Sequence, residues 1–108
     1  MLTMGFVKQE SLALAYSPSS IVATKDGEYA GAIQWTLDVD VVRITDFHVR
    51  LAFRGQHIGT ALFDAFMAFV GDRKWDAGGY TPEGAAFMTR YTGEPVQADA
   101  PSYYHEWA

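Results

Sequence analysis

One stretch, residues 41–70, constrains the fold more than any other, because its hydrophobic period changes within it. Its first part places apolar side chains at strand-like intervals, at Val42, Ile44, Phe47 and Val49. In its second part the apolar residues recur three and four positions apart, which is the spacing of one helix face. These residues are Ile58, Ala61, Leu62, Ala65, Phe66, Phe69 and Val70. The sequence therefore predicts a strand that leads directly into a helix.

The turn between this strand and this helix, residues 53–60, carries two glycines. The first N–H groups of a helix have no partner within it and lie at the positive end of the helix dipole, so such a turn can hold a phosphate. A tight connection would use the same glycines for backbone freedom alone. Arg54 could pair with a phosphate or with a surface carboxylate. The turn is therefore a candidate nucleotide site.

Residues 47–62 resemble the acyl-CoA signature of the GNAT superfamily of N-acyltransferases, which reads loosely L-x-V-x-P-x-[YF]-R-G-x-G-[IV]-G-x-x-L. The matching residues are Val49, Phe53, Arg54, Gly55, Ile58, Gly59 and Leu62. Leu51 stands where proline is usual, and His57 stands where the first signature glycine is usual. The resemblance implies acetyl-CoA as the acyl donor. It implies donor contacts at Phe47, Val49, Arg54, Gly55, Gln56, His57, Ile58, Gly59 and Thr60.

The length of 108 residues leaves room for one domain, which we expect to span residues 1–108. A hydrophobic content of 49% is that of a packed protein, and the absence of cysteine excludes disulfides and thiolate chemistry. The formal net charge of −5 argues against nucleic-acid binding and suits a cationic partner. No stretch has the length of a membrane span or the pattern of a signal peptide. We expect a cytoplasmic protein without a membrane segment.

Three strands are predicted before the helix, at residues 21–24, 29–37 and 41–52. Short turns at residues 25–28 and 38–40 would join them into an antiparallel meander. The chain before this meander is ambiguous, because residues 6–7 suit a strand whereas residues 9–16 suit one or two helical turns.

Beyond the first helix, Thr81, Pro82 and Glu83 form a strong helix start, and this second helix should run to about Tyr91 and end at Gly93. Residues 75–80 are short and glycine-rich, but the resemblance implies a strand there, parallel to the long one. Residues 95–98 and 102–107 would form a terminal hairpin. The predicted class is α/β, a GNAT-like mixed sheet of about six mostly antiparallel strands with two main helices and a reduced N-terminal helical region.

The resemblance also bears on catalysis, since in the family main-chain groups near Val49 bind the pantetheine arm and polarise the thioester. The usual glutamate base falls on Arg43, which cannot take a proton at neutral pH, and the usual tyrosine acid falls on Met88. The first candidate for the acid is Tyr91, one turn beyond Met88. Further candidates for acid or base are Tyr80, Tyr103, Tyr104, His48, Asp46, His105 and Glu106. Each could instead be a packing or surface residue, and the three histidines show no metal-site spacing.

Two functions follow from this reading. The first is an N-acetyltransferase in which a primary amine, either a small molecule or a protein lysine, attacks acetyl-CoA directly. The second is an inactive module of the same fold that binds a partner through aromatic residues. These residues are Trp75, Tyr80, Tyr103, Tyr104 and Trp107. A groove beside the long strand would favour the enzyme, whereas exposed aromatic rings would favour the module. The oligomeric state stays open between a monomer and a homodimer.

Overall fold

The computed structural model describes residues 11–99, which form one sheet and two helices. The elements are β1 (Leu12–Ser17), β2 (Ser20–Lys25), β3 (Glu28–Asp38), β4 (Val41–Val49), α1 (Ile58–Val70), β5 (Lys74–Asp76) and α2 (Pro82–Thr92). The sheet order is β1-β2-β3-β4-β5, and the pairs are antiparallel except the parallel pair β4 and β5. The predicted class, a mixed and mostly antiparallel sheet with two helices, is confirmed.

The meander forms because short turns return each strand onto the one before it. Between β2 and β3 the turn consists of Asp26 and Gly27, whose φ angles of 52° and 84° are those of a two-residue hairpin. Upstream, β1 pairs with β2, with Leu12 opposite Lys25. The helical alternative for residues 9–16 is therefore wrong from Leu12 onward, where the backbone pairs with β2 instead of forming helical hydrogen bonds. Residues 6–7 lie outside the described residues.

The long strand ends earlier than predicted. β4 stops at Val49, and residues Leu51–Phe53 form a single 3-10 turn. The last bond to β3 runs from the Arg50 amide to the Ala30 carbonyl oxygen at 2.8 Å, after which the Phe53 amide donates to the Arg50 carbonyl oxygen. This tight turn buries the Phe53 ring. Beyond Arg50, burial of this apolar ring stabilises the chain, and further pairing with β3 does not.

The first helix has the predicted bounds, and its apolar face forms the centre of the core. Its buried residues are Ile58, Leu62, Phe63, Phe66 and Val70. They pack on the sheet residues Ile21, Ala23, Ile33, Trp35 and Val42, which are also buried. Past the end of α1, the Arg73 guanidinium donates to the Phe69 carbonyl oxygen at 2.9 Å, as a cation near the negative end of a helix should.

The second helix also follows the prediction. The Thr81 hydroxyl oxygen accepts from the Gly84 amide at 3.1 Å, Pro82 stands in the first turn, and Gly93 ends the helix at a φ of 79°. Phe87 and Tyr91 of α2 pack edge-on against Phe63 of α1. Neither helix within residues 11–99 is long and apolar enough to cross a bilayer.

The terminal hairpin is wrong as far as it can be followed. Residues 95–98 form no strand. The chain here bonds instead to α2 through Val96 and to the loop before α2 through Asp99. The Val96 amide donates to the Thr89 hydroxyl at 3.0 Å, and the Asp99 amide donates to the Tyr80 carbonyl oxygen at 2.9 Å. Residues 102–107, the other half of the predicted hairpin, lie outside the described residues. Five strands are therefore present in residues 11–99.

Candidate active site

A gap opens in the sheet where β4 and β5 part. Their parallel pairing covers three residue pairs and ends with Arg43 opposite Asp76. The chain after Asp76 then turns into α2, so the second half of β4 has α2 beside it instead of a strand. A bulge at Thr45, where the register with β3 shifts, accompanies this divergence. The strand predicted at residues 75–80 is thus confirmed, but it is restricted to Lys74–Asp76.

The main chain of β4 presents hydrogen-bonding groups to this gap. Because the Arg50 amide donates to β3, antiparallel alternation directs the N–H and C=O groups of Phe47 and Val49 away from β3. The Val49 carbonyl oxygen accepts from Arg54 Nε at 2.9 Å. Arg54 therefore links the turn to the end of the strand through its Nε atom. The Val49 amide is directed toward the gap.

A groove of about 1090 Å³ extends from this gap to the start of α1. This volume is large enough for a ligand of cofactor size. Of the residues predicted to bind the donor or to act in catalysis, those lining the groove are Phe47, His48, Val49, Arg54, Gly55, His57, Ile58, Gly59, Thr60 and Tyr91. The structure thus brings the strand, the turn and the second helix together around one opening.

The N-terminus of α1 faces this groove without a side-chain cap. His57 is the N-cap residue, its side chain makes no capping hydrogen bond, and the first turn contains no acidic residue. The first helical bond runs from the Ala61 amide to the His57 carbonyl oxygen at 3.1 Å. The amides of Ile58, Gly59 and Thr60 are therefore available to an anion.

Positions 57 and 59 of the turn are each constrained, and the physical reason differs between them. His57 adopts a φ of 64°, the left-handed region in which glycine is favoured, so the usual glycine at this position reflects backbone conformation. The His57 side chain is exposed. Gly59 reflects packing, because an added Cβ would lie 3.2 Å from Phe87 Cε1. A Cβ at position 59 would require the Phe87 ring to shift by a few tenths of an ångström.

Gln56 differs from the other predicted donor contacts, since its side chain is turned away from the groove. Its Oε1 atom accepts from Lys25 Nζ at 2.8 Å, and Lys25 is only 9% exposed. This contact joins the β2 hairpin to the turn before α1. Sequence reasoning missed Lys25 because the two residues are 31 positions apart and no local pattern connects them.

Tyr91 is placed beside Asp64, a groove residue that sequence reasoning also missed. The Tyr91 hydroxyl donates to Asp64 Oδ1 at 2.5 Å. Burial, this hydrogen bond and the Asp64 charge together raise the pKa of Tyr91 to about 12. One signal for Asp64 was present, since it is the single charged residue in the otherwise apolar run of α1.

His48 is the centre of a three-residue chain of hydrogen bonds. Its Nδ1 lies 2.8 Å from Asp46 Oδ2, and its Nε2 lies 2.6 Å from the Tyr29 hydroxyl. The side chain of His48 is 7% exposed. Burial raises the pKa of Tyr29, the Asp46 charge raises it further, and Arg50 opposes both. The three side chains therefore form one continuous chain of hydrogen bonds between β3 and β4.

A second, smaller cavity of about 140 Å³ adjoins the groove, and we refer to it as the side pocket. The walls that it shares with the groove are formed by Phe47, Thr81, Gly84 and Phe87. Its remaining lining is Ile44, Thr45, Asp46, Phe63, Trp75, Ala77, Gly79, Tyr80 and Met88. Tyr80, predicted as a catalytic candidate, therefore lies here rather than in the groove. Burial raises the pKa of Tyr80, and the charges of Asp76 and Asp99 add to this effect.

Arg43 and Met88 stand where the resemblance implies a catalytic base and a catalytic acid. Both side chains have structural roles instead. Arg43 forms ion pairs with Asp76 at 2.6 Å and with Asp38 at 3.5 Å, and so ties the end of β3 to β5 across β4. Met88 is 6% exposed and belongs to the core. Within residues 11–99, no three side chains of the metal-binding types come together as a metal site.

Comparison with known proteins supports the same family. A family model for the acetyltransferase (GNAT) family matches residues 4–96. The fold is similar to Ard1 from Thermoplasma volcanium, with 26% identity and a TM-score of 0.58, over 82% of this chain and 64% of that one. It is also similar to a protein from Deinococcus radiodurans R1 described as an acetyltransferase, with 16% identity and a TM-score of 0.59, over 82% of this chain and 61% of that one.

A third solved structure is AAC(6')-Iy in complex with the bisubstrate analog CoA-S-monomethyl-acetylneamine. Its identity to this chain is 16% and its TM-score is 0.52, over 82% of this chain and 70% of that one. The chain spans less than two thirds of the length of the first two structures. A search of curated proteins finds no match.

Proposed function

Because the chain belongs to the acetyltransferase (GNAT) family, we propose that it transfers the acetyl group of acetyl-CoA to a primary amine. The observation that carries this proposal is the groove that joins the uncapped start of α1 to the gap between β4 and β5. One end offers free helix amides for a phosphate, and the other offers strand main chain for an amide-containing arm. Acetyl-CoA has both of these parts in this order.

In the proposed complex, the pyrophosphate lies at the amides of residues 58–60 and the pantetheine arm runs along β4. Arg54 already donates to the Val49 carbonyl oxygen, so the arm's N–H has the Phe47 carbonyl as its acceptor. The Val49 amide is then the donor that polarises the thioester carbonyl. A fixed donor of this kind stabilises the charge that develops on the oxygen in the transition state. The CoA-containing complex of AAC(6')-Iy, which shares the fold, supports CoA as the donor.

The transfer itself is a direct attack. The neutral amine nitrogen forms a bond to the thioester carbon, the C–S bond breaks, and its electron pair leaves on sulfur. The nitrogen loses one proton and the thiolate takes up one, so an acetamide and CoA are released. Positioning of the two reactants and polarisation of the carbonyl supply most of the acceleration.

Two side chains are proposed to handle these protons. Tyr91 lines the groove and is the proposed donor to sulfur, for which its hydroxyl must turn away from Asp64. His48 also lines the groove and is the proposed acceptor of the amine proton, for which its Nε2 must part from the Tyr29 hydroxyl. Solvent at the open groove is the alternative carrier for both protons.

The rival reading as a partner-binding module has less support. It requires exposed aromatic rings, but Trp75 packs against Phe63 and Phe66 with ring centroids 5.5 and 6.0 Å apart. Tyr80 packs against the core as well. The other three aromatic residues of that proposed surface lie outside the described residues. A groove beside the long strand is the feature that favours the enzyme.

The proposal is tested by measuring acetyl transfer from acetyl-CoA to the components of a cell lysate. The protein is incubated with acetyl-CoA and a lysate of its host, and acetylated products are identified by mass spectrometry. A matched control is Gly59→Val, which adds bulk between the turn and Phe87 at the groove wall. We expect new acetylated products with the parent and at least about tenfold fewer with the variant. Acetyl-CoA binding without any product would favour the module instead.

A further inference from the structure

The outer edge of β1 (Leu12–Ser17) has the features of a strand that pairs with another strand. We propose that two copies of this chain associate along it, with the two β1 strands antiparallel, so that the two sheets continue into one. This inference goes beyond the proposed function and does not depend on it. The groove lies beside β4, which is three strands away from β1 in the sheet.

The two edges of the sheet in residues 11–99 differ in how they are protected. β5 forms one edge, pairs with β4 over three residues and carries a lysine and an aspartate. β1 forms the other edge, has six residues in a regular register with β2, and contains neither a charged residue nor a proline. Short length, charge, proline and bulges are the usual devices that keep an edge strand from pairing. β1 has none of them.

The main chain of β1 shows which of its groups face outward. The Asp26 amide donates to the Ser11 carbonyl oxygen at 2.8 Å, so Ser11 faces β2. Because the direction of hydrogen bonding alternates along an antiparallel strand, the N–H and C=O groups of Leu12, Leu14 and Tyr16 face away from β2. In the described part of the chain, no strand pairs with this side. The edge therefore offers a regular row of donors and acceptors.

The side chains of the same three residues are apolar and extend the core face of the sheet. Leu14 lies opposite Ala23, and Tyr16 lies opposite Ile21, which are both buried in the core. Leu14 packs against this core, whereas Leu12 is 40% exposed and Tyr16 is 66% exposed. A neighbouring strand would cover these two exposed side chains. Burial of apolar surface is the main favourable term in most protein association.

The order of residues in β1 fits a second copy of itself. If a two-fold axis passes between the two Leu14 residues, Leu12 of one copy lies opposite Tyr16 of the other. Each pair then joins residues whose main-chain groups face outward, so each pair exchanges two hydrogen bonds. The large side chains meet on the helix-bearing face, and Ala13 meets Ala15 on the opposite face. A shift of one residue would set outward-facing groups against inward-facing ones, so the pattern disfavours it.

Charge also favours a second copy at this edge. Each chain carries a formal net charge of −5, so two copies repel one another where their charges approach. Residues 11–20 contain no charged side chain, so pairing here brings no like charges into contact. Because one strand from each copy forms the contact, the interface belongs with small specific interfaces, below about 1,200 Å² in total. We therefore expect a reversible dimer that forms at high protein concentration.

The first experiment follows the parent protein by sedimentation velocity and amide hydrogen exchange at concentrations from about 1 µM to about 300 µM. We expect the mean mass to rise from that of one chain toward that of two. The amides of Leu12, Leu14 and Tyr16 should exchange at least about tenfold more slowly at the highest concentration. The amides of Ala13 and Ala15, which face β2, should be protected at every concentration and are the internal control.

The second experiment tests the register by exchanging charges. Tyr16→Lys places a lysine opposite Leu12 of the other copy, at both symmetric positions, and should weaken the dimer at least about tenfold. Addition of Leu12→Glu sets a glutamate opposite each lysine and should recover most of the lost affinity. Addition of Leu12→Lys instead opposes like charges and should not. The matched control is Leu37→Lys, which changes a 55% exposed apolar residue on β3 and should leave association unchanged.

Three results would overturn this inference. The first is the mass of a single chain at every concentration, which would leave the edge open to a strand of another protein. The second is slow exchange of the Leu12, Leu14 and Tyr16 amides that does not vary with concentration, which would mean that another part of the chain covers the edge. The third is a dimer that is equally strong in both double variants, which would place the interface elsewhere. Should the variants fail to fold, amide exchange in the parent decides alone.

Discussion

At the scale of single residues, His57 shows how a departure from a family pattern can be explained by backbone geometry. The position requires a φ of 64°, which costs an ordinary residue roughly 1 kcal/mol relative to glycine. That a histidine replaces a signature glycine is visible in the sequence, because the neighbouring glycines match the signature. Why the histidine is tolerated is not visible there, because the φ angle of His57 depends on how the 3-10 turn and α1 meet.

Replacement of this residue, His57→Gly, should therefore have two separable effects. Relief of the left-handed φ should raise the free energy of unfolding by about 1 kcal/mol, as measured by urea denaturation. Loss of the imidazole should remove a hydrogen-bonding group beside the phosphate. We expect the variant to bind acetyl-CoA about 1 kcal/mol more weakly than the parent, as measured by calorimetry. Tenfold tighter binding by the variant would make His57 an obstruction and favour the partner-binding module.

Catalytic side chains illustrate the limits of sequence reasoning at the same scale. Tyr91 was selected because it lies one turn beyond Met88, and the structure places it at the groove. Its partner Asp64 is 27 positions away, so no local pattern joins the two. The same holds for Tyr29 and His48, which are 19 positions apart on neighbouring strands. Such pairs depend on sheet register and helix packing, which the sequence does not display.

At the scale of elements, the bond between Tyr91 and Asp64 connects α2 to α1 across the groove. It is accompanied by stacking of Tyr91 on Phe87 and its edge contact with Phe63. Because the folded-state pKa of Tyr91 is raised to about 12, its contribution to stability is complete below about pH 10. The contribution is lost as the pH rises from about 10 to about 12. This connection therefore weakens only in strong alkali.

Replacement of this tyrosine, Tyr91→Phe, tests both its structural and its catalytic role. Stability of the parent should fall more steeply between pH 10 and pH 12 than that of the variant, as followed by urea denaturation. If Tyr91 also protonates the thiolate, kcat should fall by about 10²-fold at neutral pH with the fold unchanged. Unchanged kcat in this variant and in Tyr80→Phe, Tyr103→Phe and Tyr104→Phe would mean that solvent supplies the proton.

Among the elements, those with strong local signals were predicted best. The first helix was predicted with its observed bounds, and the second within one residue of its observed end at Thr92, because each has an apolar stripe and clear terminal residues. The strand predicted at residues 95–98 was wrong, because the Val96 amide bonds to the Thr89 side chain and the following Asp99 amide bonds to Tyr80. These bonds depend on how the chain packs against α2. The parallel strand β5 needed the family resemblance, since three paired residues carry too little pattern. The gap beside β4 follows from the shortness of β5, and it too was implied by the resemblance and not by a local pattern.

At the scale of the whole molecule, one arrangement creates the proposed site. In the sheet formed by residues 11–99, the strands part beyond the parallel pair of β4 and β5, and the helix that follows β4 directs its uncapped start at the opening. The anion end of the donor and its acyl end are then bound by different elements of the same groove. A ligand that lacks either part should therefore bind less well than acetyl-CoA.

The most direct test of this arrangement is the thermal unfolding of the protein with and without acetyl-CoA. At a concentration about 100 times Kd, a ligand stabilises the folded state by about 2.7 kcal/mol. For a chain near this length we expect the Tm to rise by roughly 10 °C or more. S-acetyl-pantetheine, which lacks the phosphates, should give a much smaller rise at the same concentration. No rise in Tm at millimolar acetyl-CoA would contradict the account.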